Sequence, residues 1–228
     1  MSYKEHNPLV RDYAQQSPKN MEQVIAFVFA SIRVQTSMLP KMMKEFRKRG
    51  TKSSWIWGNK RTGIQYVRKN RQDLYNRMMS IVRAKKSTMS HDLIMLFLEV
   101  PGLGLPKSGF VCQLVAGKAG CLDVHNFRKY LPEVDASKGT PTYLQTSGNS
   151  LATKEKKAHV YLDIIEKKCG GTRKVWDNWC AHMSMLYPHH FPTPWHVSNV
   201  HLCIWEDQKP ARFTPVPECS EFVYEVSI

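Results

Sequence analysis

Asp123 and His125 stand two residues apart in Leu122-Asp123-Val124-His125, fifteen residues beyond Ser108 in the stretch Val100–Ser108. A lone carboxylate so placed can stabilise positive charge as it develops, or activate an attacking nucleophile. The same spacing suits a helix N-cap at Asp123 with His125 in the first turn, and the two roles are compatible. Upstream, Gly102-Leu103-Gly104-Leu105-Pro106-Lys107-Ser108 offers a tight turn whose amides are not screened by side chains. Pro106 suits the first position of a helix, where its missing N–H costs nothing. The amino terminus of that helix, with Lys107 beside it, is suited to a phosphate. Ser108 is small enough to let the helix pack closely on its predecessor.

Helices must position these residues. Apolar spacing predicts a buried helix over Met21–Ser37 and an amphipathic one over Arg71–Ala84, with Leu74, Met78, Ile81 and Val82 on one face. Ser90 is the expected cap of a segment carried by Leu93, Ile94, Leu96 and Phe97 to the Pro101-Gly102 break. A short apolar helix then runs from Lys107 to about Val115. Leu131–Ser150 reads as loop, Thr153–Cys169 as a helix stopped by Gly170-Gly171, and Arg173–Tyr187 as a helix with Trp176 and Trp179 on its apolar face. The last forty residues are rich in Pro and His, with strand-like pieces at Val197–Trp205 and Glu221–Ile228. The fold class expected is all-α, a single compact helical unit over residues 1–228 with a small β element near the carboxyl end.

Charge points to the partner. The 228 residues carry a net charge of +14, and residues 41–90 hold 15 Lys or Arg against Glu45 and Asp73, a net +13. So one-signed a block suits a polyanion, because neutralising phosphates releases counterions. Arg61, Arg68, Lys69 and Arg71 form its centre, preceded by Trp55-Ile56-Trp57, whose rings can stack on a displaced base or anchor the core. An apolar content of 42% favours a packed core over disorder. No apolar run is long enough for a membrane span, and Met1–Val10 lacks the apolar stretch of a secretory signal, so an intracellular protein is expected. The six cysteines are scattered without Cys-x-x-Cys spacing and read as reduced thiols. His182, His189, His190, His196 and His201 show no recognised ligand spacing beside Cys180 and Cys203, so neither a metal site nor a cofactor is expected.

Over residues 97–130 the chain resembles the helix-hairpin-helix DNA glycosylase superfamily. Val100–Ser108 matches that family's apolar-Pro-Gly-apolar-Gly hairpin, and Leu122–His125 its apolar-Asp-x-His element. The helix ending Ser31-Ile32-Arg33-Val34-Gln35-Thr36-Ser37 is similar to the family's early helix, which often carries a glutamine near its end, here Gln35. The resemblance implies that amides and side chains of Gly102, Leu103, Gly104, Lys107 and Ser108 grip the DNA backbone. It implies that a nucleotide is turned out of the duplex, that Asp123 acts at its sugar, and that Gln35, His125, Trp55 and Trp57 line the pocket. Bifunctional members carry a Schiff-base lysine at the position of Pro106. Lys107 falls one residue later, about 100° round the helix, so strand nicking is not expected. Cys180, Cys203 and Cys219 lack the close spacing of the family's iron–sulfur loop, so no cluster is expected either. The expected activity is cleavage of the N-glycosidic bond of a modified or mismatched base, without an obligate protein partner. An alternative on the same fold is a phage-type transferase that attaches an amino acid or amine to an activated thymine-derived base. A third is a DNA-binding module without catalysis.

Overall fold

Short caps and glycine stops divide the chain into helices, and no strand occurs among the described residues. The structure, a computed structural model, describes residues 8–31, 38–134 and 140–178. Helices α1 (Pro8–Gln16) and α2 (Pro18–Ala30) are joined at Ser17, whose hydroxyl accepts the Asn20 N–H at 3.1 Å and caps α2. They are followed by α3 (Leu39–Arg49), α4 (Gly58–Lys69), α5 (Arg71–Ala84), α6 (Met89–Phe97), α7 (Leu105–Ala116) and α8 (Val124–Tyr130). After a loop holding one 3-10 turn (Thr142–Leu144) come α9 (Leu151–Asp163), its π-helical extension (Ile164–Lys168) and α10 (172–178).

Two helices form the centre. In α2, Met21 and Val24–Ala30 are all buried, and in α7 Leu105 and Ser108–Val115 are. A helix apolar all round belongs inside, and the others wrap these two. Phe27 of α2 meets Phe110 of α7 at 6.3 Å between ring centres, and Phe110 meets Trp176 of α10 at 6.4 Å. The all-α class is therefore as expected. The strand-like pieces at 197–205 and 221–228, Trp179 and most of the helix drawn to Tyr187 lie outside the described residues.

Several helix starts differ from the expected ones in a common way. Each begins two or three residues earlier than expected, directly behind the residue that caps it. Thus α2 begins at Pro18 behind Ser17, α7 at Leu105 behind Gly104, and α9 at Leu151 behind Ser150, whose hydroxyl accepts the Thr153 N–H. Ser90 is not a cap: α6 starts at Met89, and the Thr88 hydroxyl donates to Asp92 at 2.8 Å.

Candidate functional site around Asp123

The hairpin between α6 and α7 is tight because Gly102 takes φ +85°, a left-handed conformation that other residues adopt only with strain. A Cβ on Gly102 would also lie 3.2 Å from the Asn59 carbonyl oxygen in the first turn of α4. Further along α4, Gly63 lets the hairpin sit directly on that helix. A Cβ there would stand 2.3 Å from the Phe29 ring and 2.4 Å from the Pro101 carbonyl oxygen. The hairpin that leads into α7 therefore sits on α4, near its amino terminus, where the positive end of a helix dipole lies.

Two lysines accompany them. Lys107 is half-buried, with Nζ 3.5 Å from the Ser31 hydroxyl and over the Phe110 ring. Lys60, in the first turn of α4, has its pKa lowered by burial and then by the nearby charge of Lys107. An anion placed between the two would relieve that repulsion.

Asp123 is half-buried and immediately precedes α8. Its Oδ1 accepts the Asn126 N–H at 3.1 Å, and its backbone carbonyl accepts the Phe127 N–H at 2.9 Å. Asp123 thus caps α8, the N-cap role expected of it. Lys107 and Asp123 both act on the buried Cys121 thiol. Burial pushes that thiol up to about 12, Lys107 pulls it down and Asp123 pushes it further up.

The segment carrying Asp123 is held by three side chains whose link to it the sequence does not show. The Tyr161 hydroxyl, wholly buried, accepts the Leu122 N–H at 2.9 Å and donates to the Gly120 carbonyl. Asn126, also wholly buried, donates to the Cys121 carbonyl at 2.8 Å and accepts from Asn178 of α10 at 2.9 Å. Gly109 of α7 provides the space, since a Cβ there would lie 2.2 Å from the Gly120 carbonyl oxygen and 2.6 Å from the Tyr161 hydroxyl. The carboxyl-terminal helices α9 and α10 thereby buttress the aspartate loop from behind.

Other expected site residues fall in different places. Leu103 is buried and its amide donates to the Val100 carbonyl at 3.1 Å, so this amide is engaged inside the turn. Ser108 is wholly buried, and among the described residues its hydroxyl has no hydrogen-bond partner. Gly102 is exposed and Gly104 partly so. Trp55 is a core anchor, not a pocket wall: it is buried, tilted against Phe46, and its Nε1–H donates to the Met42 carbonyl at 2.9 Å. Trp57 is 69% exposed at the start of α4. Gln35 and the side chain of His125 lie outside the described residues.

The basic patch divides in two. Arg68 Nε and Arg71 Nη1 each donate at 2.8 Å to one oxygen of Glu22, which is only 3% exposed. These two arginines neutralise a buried carboxylate on α2. Arg61 and Lys69 are exposed. An open groove of about 430 Å³ runs from Ser17 and Lys19, in the first turn of α2, across Arg68, Lys69 and Arg71. A second, of about 650 Å³, is bordered by Arg11, Lys85, Lys86 and Lys118. Neither is lined by Asp123. No described helix is long and apolar enough to cross a membrane.

Comparison with models of known protein families, with curated proteins and with solved structures found no match.

Proposed function

We propose that this chain is a DNA-acting enzyme that turns a nucleotide out of the duplex and cleaves the N-glycosidic bond of a modified or mismatched base. The observation that carries this reading is the rigid mounting of a half-buried carboxylate, Asp123, close to a cationic, glycine-turned hairpin. Phosphates bind at the turns of α4 and α7, where two helix amino termini meet Lys60 and Lys107, and along the exposed part of the basic face. Asp123 stabilises positive charge on the sugar as the bond from C1′ to the base nitrogen breaks. Water supplies the new C1′ oxygen, and the departing base takes up the proton. Pro106 within α7 and the seating of Lys107 against Ser31 and Phe110 favour hydrolysis without a lysine adduct.

The test is incubation with duplexes carrying natural and modified bases, followed by mass analysis of the products. Free base with alkali-labile abasic sites is expected. Asp123→Asn keeps a side chain that caps α8 equally well, so it should preserve folding and affinity while lowering turnover by about 10²–10⁴-fold. Unchanged turnover would remove Asp123 from the chemistry. A heavier nucleoside in an intact strand would replace hydrolysis by group transfer, and binding without product would leave a recognition module.

A further inference from the structure

His91, far away in sequence, meets Glu155 and His159 where α9 packs on α6. Glu155 and His159 stand four residues apart on α9, so they share one face of the helix. His91 comes from the first turn of α6. One donor atom from each of the three lies within 4.8 Å of the other two. The His91 and His159 rings stack, with centres 4.1 Å apart and planes inclined at 16°.

His91 carries the stronger indication. Its Nε2 is buried and makes no hydrogen bond among the described residues. A buried imidazole nitrogen without a partner forfeits hydration for nothing, unless a ligand completes it. On the other side of the ring, Nδ1 lies 3.6 Å from Asp92 Oδ1, and the Thr88 hydroxyl donates at 2.8 Å to Asp92 Oδ2. A carboxylate behind one nitrogen, with the other nitrogen directed at an ion, is how proteins orient metal-binding histidines.

We propose that His91, Glu155 and His159 form a binding site for a divalent transition metal, Zn²⁺ in particular, that ties α9 to α6. Two imidazoles and one carboxylate are the donor types that Zn²⁺ takes, and three protein ligands leave a fourth position for water. Bonds of about 2.0–2.1 Å in a tetrahedron bring donors to about 3.3 Å from one another, so the three must close in on the ion. An ion bound by a histidine lies in the plane of its ring, and two stacked rings share no such plane. His159, which is exposed, turns out of the stack on binding, and the exposed Glu155 side chain swings to meet the ion. His91, the least exposed of the three, stays in place as the fixed ligand, and Asp92 closes on its Nδ1 when the ion binds. Asp92 is a positioning residue.

The test uses the full chain without an affinity tag, freed of metal with a chelator and titrated with Zn²⁺ by calorimetry and thermal unfolding. One equivalent should bind, and at about a hundredfold excess over Kd the Tm should rise by roughly 5–10 °C. His91→Ala, His159→Ala and Glu155→Gln should each weaken binding more than about tenfold, and Asp92→Asn by about 10–100-fold. Glu155 and His159 are exposed, so their variants should keep the metal-free Tm and isolate the loss of the ion. Replacing His189 and His190 together should leave the affinity unchanged. Failure to bind Zn²⁺, or binding undiminished in the three ligand variants, overturns the proposal.

Discussion

Replacing Tyr161 by Phe removes one oxygen from the interior and isolates the mounting of Asp123. The ring stays and keeps its packing, so the void is smaller than a methyl group and gives no room for a replacing water. The Leu122 N–H and the Gly120 carbonyl both lose their partner. Each unsatisfied buried group costs about 1–3 kcal/mol, and partial relaxation of the loop brings the sum to about 2–4 kcal/mol. For a chain of this length that corresponds to a fall in Tm of roughly 5–15 °C. Urea unfolding followed by circular dichroism should show a lower midpoint with an unchanged m value, as expected when stability alone is altered. Turnover should fall as well, because the carboxylate loses its support. If Tyr161 acts only through Asp123, Tyr161→Phe combined with Asp123→Asn should be no slower than Asp123→Asn alone. A stability loss below about 0.5 kcal/mol would refute the reasoning, since it would mean that the aspartate loop does not depend on α9.

The basic face offers a second separation. Removing Arg68 and Arg71 together leaves Glu22 charged and buried, a loss of about 3–5 kcal/mol; both guanidinium groups are about two-fifths exposed, so solvent screening places the effect at the lower end, measurable by thermal unfolding. Arg61→Ala with Lys69→Ala should instead fold normally and reduce the salt dependence of duplex binding by about 1.8 in slope, if both lysine and arginine meet phosphate. Gly63→Ala drives a methyl into the Phe29 ring and the Pro101 carbonyl, so it should destabilise by about 1–3 kcal/mol in a denaturation series. Burial pushes the thiols of Cys121 and Cys169 up to about 12 and about 11, and that of Cys112 well above its usual value. A raised thiol pKa keeps the thiolate scarce until the pH passes it. In a chain with Cys180, Cys203 and Cys219 replaced by Ser, a disulfide reagent at pH 8 should therefore find no reactive thiol until guanidinium unfolds the protein and exposes three.

The legible parts of the fold are those encoded locally. The hairpin follows from Gly102 and Pro106, and the stop after α9 from Gly170 and Gly171, whose φ values are +74° and +99°. By contrast, α3 and α4 carry few apolar residues among their basic ones, only Leu39, Met42, Met43 and Phe46 in the first and Ile64 and Val67 in the second. In α3 those residues stand at helical spacing, i, i+3, i+4 and i+7, so the period was present and the charge around it drew attention to a partner instead. Trp55 and Trp57 form one motif in sequence, yet the turn before α4 sends one inward and the other to solvent. Around Asp123, its N-cap role ahead of α8 was legible from the sequence. Glu22, Tyr161 and Asn178 were not, because each draws its role from a partner 39 to 52 residues away. On a helical wheel Glu22 and Asn178 are ordinary polar positions, and Tyr161 is one more residue of an apolar face. The same holds for His91 and the α9 pair, whose proximity is a product of helix packing alone.

That dependence on distant partners bears on the choice between an enzyme and a module that only grips DNA. A hairpin needs its turn, its phosphate-facing amides and nearby cations, all contributed by α4, α6 and α7. It has no use for a buried tyrosine and two buried or half-buried asparagines that fix the backbone on either side of one carboxylate. Buried polar groups are costly unless each is satisfied, and a satisfied network chiefly adds rigidity and a single defined geometry. Here the rigidity is concentrated on Gly120–Asn126, the one segment where a displaced side chain would move Asp123. Positioning of that kind matters for a transition state, where a misplacement of about 1 Å can cost about 10²-fold in rate, and matters little for backbone binding. Chemistry at Asp123, as proposed, would make use of such positioning, and the turnover of Asp123→Asn decides it.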